Sequence, residues 1–157
     1  MGAATQSTDD GPATVSLDSA TLAARDLLPF QAAIDAGVPA VMISHAFYSA
    51  YDPVTPASLS PEIARGLLRD QMGFTGLAIT DDLGTGAIRA TAGVQPGAIQ
   101  ALNAGADMLL VEDAEEAEDV RETLLAAVES GEIPPERIDQ AVGRVLELKR
   151  LLGLLGE

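Results

Sequence analysis

With 157 residues, of which 47% are apolar and only 3% aromatic, the chain can bury one core made mostly of aliphatic side chains and alanine. Its formal net charge of −15 repels phosphate backbones and anionic lipid, so neither nucleic acid nor a membrane is expected as a partner. The absence of cysteine excludes disulfides and thiolate metal sites. The sequence shows no signal peptide and no apolar run of the ~20 residues that span a bilayer, and the compartment stays open.

Residues 1–17 are predicted to form a loop, because they are rich in small polar residues, Gly and Pro and lack periodicity. A helix is predicted to begin at Asp18 and to end at Gly37, which suits a C-terminal cap. The continuously apolar run 38–43 follows it. Such a run is typical of a strand that is buried on both faces of a parallel sheet.

The same helix and strand unit recurs twice. A helix that starts at Ser60 and ends at Gly73 precedes a strand at 74–80, and a helix at 96–103, closed by Gly105, precedes a strand at 107–111. Two helices with acidic faces complete the chain, one from about 114 to 130 and one that starts near Pro135. The pattern indicates a single domain.

Alternating strands and helices predict parallel βα units, in either an open doubly wound sheet or a closed barrel. In both architectures ligands bind at the carboxyl ends of the strands. Polar side chains follow all three predicted strands, at Ser44-His45, Thr80-Asp81-Asp82 and Glu112-Asp113. This edge is therefore the expected functional site.

The adjacent carboxylates Asp81 and Asp82 are the most informative pair, because they repel each other and cost desolvation energy at the end of a buried strand. Either one of them caps the next helix, or the pair serves catalysis. His45 is the only histidine, and a lone histidine at a strand end is most simply a hydrogen-bonded packing residue. No ligand spacing indicates a metal site, and no cofactor is implied.

Several segments resemble glycoside hydrolase family 3, most closely its bacterial β-N-acetylhexosaminidase branch, and together they cover nearly the whole chain from Asp18 onward. They are LLPF at 27–30, AGVPAVMISH at 36–45, PASLS at 56–60, GLAITDDLG at 76–84, AGADMLLV at 104–111 and RVLELK at 144–149.

The resemblance implies an α/β fold that is part of a (β/α)8 barrel, since a whole barrel needs about 250 residues. The expected domain is a single C-terminal half-barrel with a loop at 1–17, three βα units at 18–112 and terminal helices at 113–157. The implied activity is retaining hydrolysis of β-linked N-acetylglucosamine or a related glycoside. Two alternatives are a non-catalytic sugar-binding or regulatory remnant of the family and an open-sheet α/β domain of different function, in which the pair of aspartates is coincidental.

The resemblance also assigns roles to residues. Asp81 stands at the position of the family's nucleophile, and His45 and Asp82 are expected to lie against the sugar, where His45 either donates to a substrate hydroxyl or holds the nucleophile in place. Asp82 has a second possible role, which is to orient the loop that follows it. No cofactor is expected for these steps.

The acid/base loop departs from the family pattern. Members carry a KHFPG motif, whose last glycine corresponds to Gly2 here, followed by an Asp-x-His acid/base, but residues 3–12 contain no histidine. Asp9 and Asp10 are the candidates for the proton donor, because a carboxyl group with a raised pKa is a workable acid. Alternatively, the two form only an Asx-turn before Gly11.

A half-barrel leaves two strands without neighbours. The strands at 38–43 and 107–111 are expected to be edges, which are templates for further pairing. The expected partners are therefore a second copy of the chain in a homodimer or a complementary N-terminal half-barrel.

Overall fold

A parallel three-stranded sheet lies at the centre of the computed structural model, which describes residues 3–155. The strands of the chain are β1 Thr14–Val15, β2 Ala40–Ile43, β3 Phe47–Tyr48, β4 Leu77–Asp82 and β5 Met108–Leu110. The central sheet has the order β2-β4-β5, and β1 pairs with β3 in a separate parallel ribbon. Within the described residues the central sheet does not close, so β2 and β5 are its two edges.

Helical segments connect the strands and pack against the sheet. The α-helices are α1 Ser19–Thr21, α2 Leu28–Asp35, α3 Gly86–Arg89, α4 Val94–Ala104, α5 Ala114–Ser130 and α6 Pro135–Leu151. Two wider π-helical segments lie at Leu22–Asp26 and Glu62–Gln71, and a 3-10 turn lies at Ala57–Leu59. Three parallel βα units followed by two long helices confirm the predicted α/β fold.

The end of β4 differs from the prediction in a way that matters for the site. The sequence predicted a strand that ends at Thr80, but the ladder continues to Asp82, which pairs with Leu110. Two hydrogen bonds extend it: the N–H of Leu110 donates to Thr80 Oγ1 at 3.1 Å, and the N–H of Leu83 donates to the Leu110 carbonyl at 3.0 Å. Asp81 therefore belongs to the strand.

The predicted loop at the start of the chain contains the short strand β1. The carbonyls of Ala13, just before this strand, and of Val15, within it, accept from the N–H groups of Phe47 and Ser49, at 2.8 and 3.1 Å. The helix expected from Asp18 does begin there, because the Asp18 carboxylate accepts from the N–H of Thr21 at 2.7 Å and caps it. It then divides into α1, the π-helical turn and α2.

The apolar side chains of α6 are only partly covered. Val142 in this helix and Leu152 just after it are 48% and 61% exposed. The buried residues of α6 are Arg137 and Ala141. Part of the apolar surface of α6 therefore remains exposed.

Asp107 joins four separate segments through one fully buried carboxylate. Its two oxygens lie 2.6 Å from Arg69 Nη2, 2.9 Å from Arg137 Nη2 and 3.0 Å from Arg144 Nη1. The N–H of Ala78 also donates to it, at 3.0 Å. This cluster fixes the N-terminal ends of β4 and β5 to the Glu62–Gln71 helix and to α6.

The three arginines bind more than the carboxylate. Arg69 donates to the carbonyls of Phe74 and Gly76, and Arg137 donates to those of Leu102 and Ala106. These carbonyls lie in the segments of chain that lead into β4 and β5. The arginines therefore provide hydrogen bonds to backbone carbonyls near the starts of these two strands.

We predict that Asp107→Asn lowers the free energy of unfolding by about 3–5 kcal/mol, because three guanidinium groups then lose their buried counterion. Urea denaturation followed by circular dichroism measures it. The matched control is Glu118→Gln, which breaks an exposed pair with Arg121 and should leave the midpoint unchanged. Equal effects of the two substitutions would contradict the structural role of Asp107.

Candidate active site at the carboxyl edge of the sheet

Asp81 and Asp82 are the last two residues of β4, and both are half-buried. Asp81 Oδ1 accepts from the N–H of Asp82 at 3.0 Å, whereas Asp82 Oδ1 accepts from the N–H of Glu112 at 3.0 Å. Neither side chain caps the next helix, α3, whose first turn has no side-chain cap. Asp82 instead ties the end of β4 to the segment after β5.

His45 lies directly behind this pair, on the segment that follows β2. Its side chain is fully buried, with Nε2 2.9 Å from the Asp82 carbonyl oxygen and Nδ1 2.6 Å from Ser58 Oγ. Since burial lowers the pKa of His45, the ring is neutral at neutral pH. Both nitrogens already have partners, so donation to a sugar hydroxyl would require breaking one of these hydrogen bonds.

The N-terminal loop reaches the same edge of the sheet through its backbone. The N–H of Gly86 donates to the Asp9 carbonyl at 2.9 Å, and the N–H of Ala87 donates to the Thr8 carbonyl at 3.0 Å. A Cβ added to Gly86 would lie only 2.7 Å from the Asp9 oxygen. Glycine at this position therefore permits the loop to pack against the segment that follows β4.

The carboxylates of Asp9 and Asp10 lie on exposed residues of this docked loop. The Ser7 hydroxyl accepts from the N–H of Asp9 at 3.2 Å and donates to Asp9 Oδ2 at 2.9 Å. The turn is thus stabilised by Ser7. Gly2, the residue that corresponds to the last glycine of the family motif, lies outside the described residues.

An arginine that the sequence analysis missed lies beside Asp82. Arg89 Nε donates to the Gly84 carbonyl at 2.7 Å, and its Nη2 pairs with Glu116 Oε2 at 2.7 Å. A Cβ on Gly84 would lie 2.9 Å from Asp82 Oδ2. Asp82 and the Arg89–Glu116 pair therefore both pack against Gly84, in the loop after β4. The only signal in the sequence was Glu116 within an acidic run, which by itself indicates a solvated helix start.

Two other kinds of functional feature are absent from residues 3–155. In that part of the chain no three histidine or acidic side chains converge as metal ligands. No helix there is long and apolar enough to cross a membrane.

Several solved structures resemble this fold closely. The chain superposes with a TM-score of 0.93 and 40% identity on a glycoside hydrolase family 3 β-N-acetylglucosaminidase from Paenibacillus sp. str. FPU-7, covering 98% of this chain and 30% of that one. A β-N-acetylhexosaminidase from Beutenbergia cavernae DSM 12333 gives a TM-score of 0.85 at 34% identity, covering 94% of this chain and 44% of that one. The fold is therefore part of a family 3 barrel domain.

The sequence comparisons agree. The model of the "Glycosyl hydrolase family 3 N terminal domain" matches residues 1–148, and the chain belongs to this family. A β-hexosaminidase from Stenotrophomonas maltophilia (strain R551-3) is 37% identical over 139 residues, which are 86% of this chain and 35% of the relative. The chain thus spans about a third of the length of the curated relatives it matches.

We predict that Gly86→Ala releases the N-terminal loop, because the new methyl group would overlap the backbone of Asp9 and Asp10. Hydrogen exchange at the Gly86 region and at Ala87 should accelerate at least tenfold, a local opening of about 1.4 kcal/mol. The control is Gly143→Ala on α6, where an added Cβ meets no atom within 4 Å. It should stabilise the helix. Unchanged exchange in Gly86→Ala would contradict the docking.

Proposed function

We propose that the chain is the C-terminal half of a retaining O-glycosyl hydrolase domain, with Asp81 as the nucleophile. The observation that carries this proposal is the position of Asp81, at the carboxyl end of a parallel strand in a family 3 domain. Its carboxylate is half-buried, and the neighbouring N–H of Asp82 holds one of its oxygens. The second oxygen has no hydrogen-bond partner within the described part of the chain, so it is available for attack.

In the proposed reaction, this oxygen attacks the anomeric carbon of the sugar while the glycosidic bond breaks. A carboxylic acid donates its proton to the departing oxygen, and the sugar is left as an ester on Asp81. The same acid, now a carboxylate, removes a proton from water. The resulting attack on the anomeric carbon restores Asp81 and releases the sugar with retained configuration.

Asp9 and Asp10 remain the candidates for that acid. Their support is the loop that carries them, which is fixed to Gly86 and Ala87, four and five residues beyond Asp82. A proton donor contributes only when it is held in a productive position. Backbone docking to the segment after the nucleophile strand would provide such a position.

The proposed substrate is a glycoside of β-linked N-acetylglucosamine or a closely related sugar, of the kind found in cell walls. The support is the printed names of the relatives, which are β-hexosaminidases and β-N-acetylglucosaminidases. Within this chain, the −15 net charge disfavours strongly anionic substrates.

A second candidate is a sugar-binding or regulatory member of the family without turnover. The observation that favours it is the exposure of both Asp9 and Asp10, since a proton donor contributes to catalysis only when it is held in a productive position. Ligand-induced stabilisation without release of product would support this second function.

We predict that a mechanism-based fluoro-sugar labels Asp81 when the chain is combined with the preceding half of a family 3 domain. Mass spectrometry of the labelled peptide identifies the residue. Asp81→Ala should abolish labelling and reduce turnover of aryl glycosides by more than about a thousandfold, as expected when a covalent nucleophile is lost. A label on another residue, or normal turnover by Asp81→Ala, would refute the assignment.

Asp82→Ala is the matched control, because it removes an adjacent carboxylate that only binds the Glu112 N–H. It should slow labelling less than Asp81→Ala does. The 157-residue chain by itself should turn over aryl glycosides slowly or not at all, since a nucleophile without the rest of a sugar pocket provides little transition-state stabilisation.

The open sheet supports a proposal about assembly as well. Met42 on the edge strand β2 is 47% exposed, and apolar side chains beside the sheet form a cavity of about 120 Å³ with Phe30 and Leu67 among its walls. At the other edge, Val142 and Leu146 of α6 are also exposed. We propose that a second copy of the chain or a complementary N-terminal half-barrel covers these edges.

Light scattering coupled to size exclusion tests the assembly. The expected result is a dimer, or a complex when the complementary half is present, with slow hydrogen exchange at both edge strands. Met42→Glu should weaken the association at β2, whereas the exposed Val54→Glu, on a loop, should not. A monomer with both edges protected would contradict the proposal.

A further inference from the structure

The segment 56–60 has no role in the proposed reaction, yet each of its residues is buried. It follows the loop after β3 and forms the 3-10 turn Ala57–Leu59. Ser58 is fully buried at the centre of this turn and lies against the only histidine of the chain. A polar residue buried so completely needs a hydrogen-bonding function.

Backbone contacts fix this turn against the end of β2. The N–H of Ala57 donates to the Ala46 carbonyl at 3.0 Å, and the N–H of Ser58 donates to the Ser44 carbonyl at 3.1 Å. These two bonds bracket His45 in the sequence. The Ser58 hydroxyl is thereby held 2.6 Å from His45 Nδ1.

The partners of the imidazole determine its tautomer. The Asp82 carbonyl only accepts, so the proton of the neutral ring must be on Nε2, which donates to that carbonyl. Nδ1 then carries a lone pair and accepts the proton of the Ser58 hydroxyl. The carboxylates of Asp81 and Asp82 favour a second proton on the ring, but burial has the larger effect and lowers the pKa of His45.

Asp82 connects the His45–Ser58 pair to the candidate nucleophile, Asp81, and its carbonyl makes the contact with His45. This carbonyl accepts from His45 Nε2 and also from the N–H of Thr85, at 3.2 Å. On the other side of the same residue, the Asp82 N–H holds the Asp81 carboxylate. Any rotation of the backbone at Asp82 would therefore move the nucleophile.

We propose that Ser58 and His45 are positioning residues for Asp81: Ser58 holds His45 in the Nε2–H tautomer, and His45 fixes the backbone of Asp82, whose N–H orients the Asp81 carboxylate. The proposal rests on the proposed function for the role of Asp81. It gives the buried 56–60 segment a function in the site, which Ser58 exerts through His45.

The tautomer is testable in the 157-residue chain, because its single histidine gives one unambiguous set of side-chain nitrogen signals. In ¹⁵N NMR, Nε2 should appear protonated and Nδ1 unprotonated, and the ring should stay neutral down to a pH below the usual histidine pKa of about 6.5. Ser58→Ala should give a mixture of tautomers. A wild-type ring protonated on Nδ1, or one that titrates at its usual pKa, would overturn the proposal.

Hydrogen exchange tests the link from His45 to the backbone of Asp82. His45→Phe keeps a ring of similar size but removes the donor, and exchange at the Asp82 and Thr85 amides should accelerate about tenfold. His45→Gln retains an N–H donor near the Nε2 position and should recover part of this protection. Ser49→Ala, an exposed serine nearby, is the control and should change neither amide. Equal exchange in His45→Phe and the wild type would overturn the proposal.

The effect on the nucleophile is measured by the rate of fluoro-sugar labelling in the assembled enzyme. Ser58→Ala and His45→Phe should slow labelling of Asp81 by about 10- to 100-fold, with little change in the concentration of label needed for half-maximal rate. His45→Gln should lie closer to the wild type. Unchanged labelling by His45→Phe would refute the positioning role. A wild-type enzyme that is never labelled at Asp81 would instead refute the proposed function. In that case the NMR results still decide whether the hydrogen-bond network exists.

Discussion

The buried carboxylate of Asp107 is the interaction on which the arrangement of this half-barrel depends. Its two oxygens accept four hydrogen bonds, three from arginines and one from the backbone of β4. A buried ion pair is not stabilising by itself, because desolvation offsets much of the attraction. Its specific effect is geometric: the carboxylate and its arginines hold four segments in fixed relative positions at the N-terminal ends of the strands.

The opposite ends of the strands are held by weaker and more distributed contacts. There, β4 is joined to β2 through His45, to the segment after β5 through Asp82, and to the N-terminal loop through Gly86. In βα folds the N-terminal ends of the strands usually provide stability, whereas the loops at the carboxyl ends, here called the rim, carry the site. Asp81 lies at the rim, next to each of these contacts.

Much of the fold followed from patterns within short stretches of the sequence. Continuous apolar runs and glycine caps located three strands and their helices, and the carboxylates at the end of β4 marked the candidate site. The contacts that organise these elements did not follow, because Arg69 and Arg137 lie 38 and 30 positions from Asp107. The one available signal was an aspartate beside a buried strand, which requires counterions but does not identify them.

The two adjacent aspartates show why local chemistry alone was ambiguous. Side by side in the sequence, Asp81 and Asp82 had equal claims to capping and to catalysis, yet alternation along β4 sends successive side chains to opposite faces of the sheet. Asp82 meets the backbone of Glu112, and Asp81 keeps one oxygen without a partner in the described chain. The carbonyl of Asp82 is bonded by His45, whose other ring nitrogen lies against Ser58, and no pattern near residue 81 reveals these two residues. The difference between a structural carboxylate and a candidate nucleophile is therefore set by neighbours 30 and 37 positions away.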